Sequence, residues 1–160
     1  MGERYLKSLR LLAECLQGFE RLSERHVRAF GLTHAQFDII ATLGNTPGMT
    51  YKELGAKTLI TKGTLTGVID RLERKGLVER ERSVADKRSY FVRLSGQGEQ
   101  VFKDVFPQVT AHGASVFAQF SDADFTRLEQ TLSGLKSVIA ADGAAPASPD
   151  SRSQASRSST

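Results

Sequence analysis

Val84-Ala85-Asp86-Lys87-Arg88-Ser89-Tyr90 sets one acid and two adjacent bases between two strand-like runs, Leu77–Ser83 and Ser89–Leu94. Two such runs around a short polar stretch read as a β-hairpin, here a wing with a cationic tip. Working back along the chain, Thr50 to Gly76 carries a helix-turn-helix pattern. A helix, a turn, a second helix and a wing make a shape that fits duplex DNA, with the second helix in the major groove and the wing tip in an adjacent groove. The fold class expected is mainly α with a small antiparallel β-wing, a winged helix-turn-helix embedded in a helical dimerisation domain.

The second helix of the pattern, Lys62 to Lys75, reads as the recognition helix. Leu65, Val68, Ile69 and Leu72 fall on one face and must pack inward. Thr61 is placed to cap it, and Lys62, Gly63, Thr64, Thr66, Gly67, Asp70 and Arg71 face partly or wholly outward. Small and hydroxyl-bearing side chains beside two bases suit close approach to base edges and phosphates. The first helical turn adds backbone donors for phosphate. Each glycine inside a helix costs about 1 kcal/mol relative to alanine, which a purely structural helix gains little from. Gly76 is a natural residue to stop the helix before the first wing strand.

Charge is concentrated on this module. Lys57 to Arg93 holds ten bases against five acids, whereas the whole chain is only +4. That is the electrostatic footprint of a phosphate-binding surface. At 160 residues the chain is one domain by length. No apolar run approaches the roughly 18 to 20 residues needed to span a bilayer. Lys7 and Arg10 interrupt the N-terminal leucines, so no signal peptide is read there, and Tyr5-Leu6 lack the hydroxyl residue of a myristoylation signal. The single cysteine, Cys15, cannot form an internal disulfide. A cytoplasmic chain with no membrane partner is expected.

Around the module the pattern is helical. Leu9, Leu12, Leu16, Phe19, Leu22, His26 and Phe30 recur at steps of three and four, predicting a helix from about Glu3 to Phe30. At 1.5 Å per residue it is on the order of 40 Å long, which suggests packing against a second copy as well as its own core. Thr33-His34-Ala35-Gln36 and Thr50-Tyr51-Lys52-Glu53 are two capping-box patterns. After the wing, a helix is expected from Gln97 to Phe120, kinked or broken at Pro107. A last helix opens at Ser121 and carries Phe125, Leu128, Leu132, Leu135, Val138 and Ile139 on one stripe. From residue 142 to 160 the composition turns to Ala, Ser, Pro, Gly and Arg, and a disordered tail is expected.

Thr61-Lys62-Gly63-Thr64-Leu65-Thr66-Gly67-Val68-Ile69-Asp70-Arg71-Leu72-Glu73-Arg74-Lys75-Gly76-Leu77-Val78, then Asp86-Lys87-Arg88-Ser89 and Leu94-Ser95-Gly96-Gln97-Gly98, resemble the MarR family of bacterial winged-helix transcriptional regulators. The resemblance covers about residues 5–141. It implies a homodimer joined through residues 3–33 and 96–141, with residues 34–95 as the DNA-binding winged helix. Two recognition helices would then face successive major grooves of a pseudo-palindromic operator. It also implies that Arg88 enters the minor groove, that Asp86 fixes the wing, and, by family habit, that the chain represses transcription.

Family members often answer to small aromatic acids or phenols. On that resemblance Phe19, His26, Phe30, Phe37 and His112 are candidates for a ligand pocket, and Cys15 for a redox sensor, although the tyrosine that peroxide-sensing relatives use is missing near it. His26, His34 and His112 match no zinc template, so neither metal nor cofactor is expected. No nucleophile elbow, phosphate loop or dinucleotide fingerprint occurs, and no enzymatic activity is expected. The rival reading is a winged helix used only for protein assembly, which would carry apolar residues where Lys62, Thr64, Arg71, Lys87 and Arg88 stand.

Overall fold

Two threonines start successive helices, the second of which opens the helix-turn-helix. Thr33 Oγ1 accepts from the Gln36 backbone N–H at 3.2 Å while Gln36 Oε1 accepts from the Thr33 N–H at 3.1 Å. Thr50 and Glu53 make the same reciprocal box one helix later. Each box satisfies donors that the first helical turn leaves without partners, and so fixes where α2 (His34–Leu43) and α3 (Tyr51–Thr58) begin. The computed structural model describes residues 3–143. These residues fall into two compact units, the first through Ser115 and the second from Val116.

In the first unit α1 spans Arg4–Val27 and is followed by a 3-10 turn, Arg28–Phe30. The α-helix thus stops three residues short of the expected Phe30. Gly31, at φ 70°, reverses the chain in the left-handed region that a Cβ disfavours, and the tightened turn precedes it. After α2 and α3 comes α4, Lys62–Arg74, which ends as predicted: the Gly76 N–H reaches Glu73 O and the Leu77 N–H reaches Leu72 O, with Gly76 at φ 71°.

The wing strands are β2, Val78–Arg82, and β3, Tyr90–Leu94, each one or two residues shorter than the sequence runs. A two-residue strand absent from the sequence reading, β1 (Met49–Thr50), pairs antiparallel with β3, so the order is β1-β3-β2. Two residues are too few for alternation to register. What holds β1 is tertiary: Met49 is buried and lies opposite Val92. α5 runs Gly96–Val116 without a break at Pro107 and stops before the expected Phe120. Pro107 removes one helical donor, and it stands on an exposed face where water can serve the carbonyl left over.

One core lies under the winged helix. Ile39, Ile40 and Leu43 of α2, Leu54 of α3, Leu65, Ile69 and Leu72 of α4, and Val92 of β3 are almost wholly buried, joined by Val27 of α1 and Val105 of α5. Each such side chain contributes about 1.5–3 kcal/mol on leaving water. The four residues predicted to face inward from the recognition helix all do so. Gly98 closes the module: a Cβ built on it would sit 1.9 Å from the Leu77 carbonyl oxygen, so the start of α5 lies flush on the strand entry.

The long-helix stripe behaves differently. Leu9, Leu12, Leu16 and Phe19 are 40 to 59% exposed in the single chain, and α1 buries only Ser23 and Val27. The second unit holds α6, Asp122–Gly143, which buries no residue, with Leu128, Leu132, Val138 and Ile139 exposed. Phe117, Phe120 and Phe125 cluster at its entrance, their ring centroids 5.4 to 6.3 Å apart. α6 reaches Gly143, two residues into the segment expected as tail; residues 144–160 lie outside the described residues.

Candidate nucleic-acid interface

The outward face of α4 is built by what its inward face must do. With Leu65, Val68, Ile69 and Leu72 buried, Thr61, Lys62, Gly63, Thr64, Thr66 and Arg71 are left exposed, and Gly67 is half-buried. A Cβ on Gly63 would meet nothing within 4 Å, and one on Gly67 only the tip of Arg71 at 4.0 Å. The protein's own packing therefore does not require glycine at either position. Thr61 holds the N-cap position, but it does not cap as expected. Its hydroxyl donates to Thr64 Oγ1 at 3.1 Å instead of accepting from the helix. The Thr64 N–H bonds to the Thr61 carbonyl at 3.0 Å, and among the described residues the Lys62 and Gly63 N–H groups are left open where the helix dipole is positive.

The wing tip is ordered by its own backbone. The Ser83 N–H donates to Ser89 O at 2.9 Å, and the Ser89 N–H to Asp86 O at 2.9 Å. Asp86 Oδ1 accepts from the Arg88 backbone N–H at 3.0 Å, a local turn that aspartate makes readily. Asp86 and Arg88 do not form an ion pair, so the guanidinium is not spent on its neighbour. Arg82 braces the loop by donating to Lys87 O at 3.2 Å. Lys87 and Arg88 are exposed, and Ser89 is half-buried.

Between helix and wing lies a network that sequence reasoning missed. Arg80, on β2, reaches Asp70 Oδ1 at 2.7 Å, Glu73 Oε2 through Nε at 3.0 Å and the Tyr51 hydroxyl at 3.2 Å. Its guanidinium also stands 5.4 Å from the centre of the Tyr90 ring, within cation–π range. Four elements, α3, α4, β2 and β3, meet at this one side chain. Its hydrogen bonds to Glu73, then to Tyr51, raise an already high pKa further, so the charge is permanent. Burial pushes the Tyr51 phenol up despite Arg80. Nothing in the spacing marks Arg80 apart from Arg82: alternation puts both on one face of the strand, over the Tyr90 ring. Only their places along it, Arg80 beside Asp70 of α4 and Arg82 beside Lys87 of the wing loop, separate them.

Arg93, on β3, is consumed in the same way by Glu79 at 2.9 Å and Glu81 at 3.0 Å. Among the described residues no acid lies in salt-bridge reach of Lys62, Arg71, Lys87 or Arg88. Four of the module's acids, Asp70, Glu73, Glu79 and Glu81, are thus matched to Arg80 and Arg93. The exposed bases Lys62, Arg71, Lys87 and Arg88 are left without an acid partner among the described residues.

The candidate pocket residues are not gathered as one site. His26 and His112 meet with ring centroids 4.3 Å apart. Phe19 instead meets His34 edge-on at 6.3 Å, Phe30 is exposed on the 3-10 turn, and Phe37 belongs to the core. His34 Nδ1 is buried with no partner, and one turn later burial raises the Asp38 carboxyl above its usual range, with His34 opposing. No group of three or more metal-ligating side chains occurs among the described residues. Cys15 is exposed on α1. No described helix is long and apolar enough to cross a membrane.

A three-stranded sheet, a capped helix-turn-helix and a wing with unpaired bases define a winged helix-turn-helix protein. Residues 32–90 match the model of the MarR family. Over 138 residues the chain is 27% identical to the HTH-type transcriptional regulator MhqR of Bacillus subtilis, covering 86% of this chain and 93% of that one. It is 30% identical over 132 residues to the uncharacterized HTH-type transcriptional regulator YsmB of the same organism, covering 81% and 87%. The homoprotocatechuate degradative operon repressor of Escherichia coli is 28% identical over 106 residues, covering 66% and 72%. Among solved structures, AbsC of Streptomyces coelicolor superposes with a TM-score of 0.75 at 24% identity, covering 85% and 94%. A regulator from Listeria monocytogenes complexed with 26mer DNA does so with 0.72 at 20%, covering 84% and 89%. The chain belongs to the MarR family of transcriptional regulators.

Proposed function

We propose that this regulator binds a pseudo-palindromic duplex as a homodimer and represses transcription from it. The observation that carries the reading is the division of the basic residues: Arg80 and Arg93 are held by acids of the module, while Lys62, Arg71, Lys87 and Arg88 are exposed and, among the described residues, unpaired. Phosphates are the natural counter-charge for such a surface. Lys62, Thr64, Thr66 and Arg71 read the major groove with Gly63 and Gly67 allowing close approach, and Arg88 enters the minor groove from a turn set by Asp86. The DNA complex of the Listeria neighbour supports the geometry, and the E. coli relative's name supports repression.

Dimerisation is supported by the bare stripes of α1 and α6. A long helix with one uncovered apolar face is completed by a second copy. A small aromatic effector is favoured by the His26–His112 pair and by the unpartnered His34 nitrogen near Phe19.

The deciding experiment titrates the purified protein against its own upstream promoter fragment and a scrambled control across a salt series. Preference for the promoter with a steep salt slope is expected, after which aromatic acids and phenols can be screened for release of the DNA. Absence of binding to both fragments at low salt would overturn the proposal and favour the assembly role.

A further inference from the structure

Leu59, in the turn between α3 and the recognition helix, is placed where folding gives it no benefit. Its backbone is left-handed, at φ 58°, a conformation strained for any residue with a Cβ and usually given to glycine or asparagine. Its side chain is 87% exposed, so no apolar burial offsets the strain. Among the described residues between Phe30 and Val84 it is the sole large hydrophobic side chain on the exposed surface. The turn holds it there firmly. The Thr58 hydroxyl donates to Leu54 O at 2.6 Å and its oxygen accepts from the Ile60 N–H at 3.4 Å, while Leu54, Thr58 and Leu65 on either side are buried. Strain that the surroundings enforce at an exposed position is a pointer to function.

What Leu59 meets follows from its neighbours. Lys57 and Lys62 flank it, both exposed and neither within salt-bridge reach of an acid among the described residues. Thr61 and Thr64 lie just beyond it. An apolar tip ringed by unpaired bases is unsuited to an apolar protein surface. It suits a polyanion that presents an apolar group close to its phosphates, and on the base edges of the major groove that group is the thymine methyl. Resting on the DNA-binding reading above, we infer that Leu59 is a specificity-determining residue that packs on a thymine methyl at the edge of each half-site. It adds an apolar element to a face otherwise read by hydroxyls and cations.

The test starts from a duplex selected by the wild-type protein out of a randomised pool. Each thymine is replaced in turn by deoxyuridine, which removes only the methyl. One replacement per half-site is expected to weaken wild-type binding about fivefold. Leu59→Ala keeps the strained backbone and removes the contact; it should bind the thymine duplex about fivefold more weakly and be indifferent to that same replacement. Leu59→Gly removes contact and strain together, and should lose the same affinity with an unchanged or higher melting temperature, which separates the contact from any fault in folding. Wild-type indifference to every deoxyuridine overturns the inference. So does a Leu59→Ala loss that persists undiminished on the deoxyuridine duplex, since the contact would then be to sugar or backbone. If no duplex is enriched from the pool, the DNA-binding reading itself fails, before any Leu59 variant is made.

Discussion

Arg80, midway along the first wing strand, holds Asp70 of the recognition helix at 2.7 Å and Glu73 one turn further on. The helix that would enter the groove and the wing that would flank it are therefore pinned to each other by a single guanidinium. Arg80→Met should cost about 1–2 kcal/mol of stability, a charge-assisted interaction discounted for the partial exposure of its acids. DNA affinity should fall while the salt slope stays unchanged, because no phosphate contact is lost. A slope lowered by about one would show that Arg80 touches the backbone instead.

Arg88→Ala makes the opposite case. Arg88 is exposed at the wing tip with no acid partner among the described residues, and its backbone rather than its side chain meets Asp86. Affinity should drop by more than about 1 kcal/mol, and for a phosphate contact the salt slope by about one, with melting temperature and oligomeric state untouched. Unchanged affinity in the titration would remove the wing from the mechanism.

Gly98→Ala should be the most disruptive small substitution near the wing. Its Cβ would meet the Leu77 carbonyl oxygen at 1.9 Å and the Leu94 side chain at 3.3 Å. The first of these is backbone, which cannot rotate away. A loss of about 1–3 kcal/mol is expected from overpacking. Gly96→Ala, two residues earlier with nothing within 4 Å, is the control; equal melting temperatures for the two variants would contradict the close packing.

Replacing Leu12 and Leu16 with Glu changes side chains that are 41% and 59% exposed in the single chain. The isolated subunit loses little by it, whereas a dimer seam would bury four unpaired carboxylates. Sedimentation should report monomers or unfolded chains. A folded dimer would place the interface elsewhere.

Acid unfolding should pass through the helix caps. Hydrogen bonds from Thr50 hold the Glu53 carboxyl below its usual range, and those from Ser121 do the same for Asp124. A depressed carboxyl contributes stability that is full above its ordinary value and is lost as pH falls through its folded one. Glu53→Gln should therefore flatten the pH dependence of stability on the acid side. An unaltered acid limb would show the cap to be indifferent to the charge.

The parts legible in the sequence were those with local causes. Both capping boxes, the four inward residues of the recognition helix and the Gly76 stop each follow from chemistry within a few positions, and each is found. What escaped reading depends on residues far apart. β1 exists because Met49 meets Val92, and Arg80 matters because α3, α4 and the wing converge on it. Thr61 misled for a related reason: its type suits a cap, but the Thr64 hydroxyl one turn on takes its hydrogen bond. Of the proposed pocket, spacing could not tell Phe37, a core side chain, from His26 and His112, which meet.

Lys75, at the far end of the recognition helix, donates through Nζ to the Gly31 carbonyl and to Gln36 Oε1. Gly31 is the bend where the long first helix hands over to the helix-turn-helix. The reading head is thus bolted at its tail to the hinge of the arm that carries it, and Gln36 ties the same bolt to the start of α2. A twist of the arm cannot be absorbed by a slack joint. Through Lys75, a twist at Gly31 would be felt at the C-terminal end of α4 and at the start of α2 together.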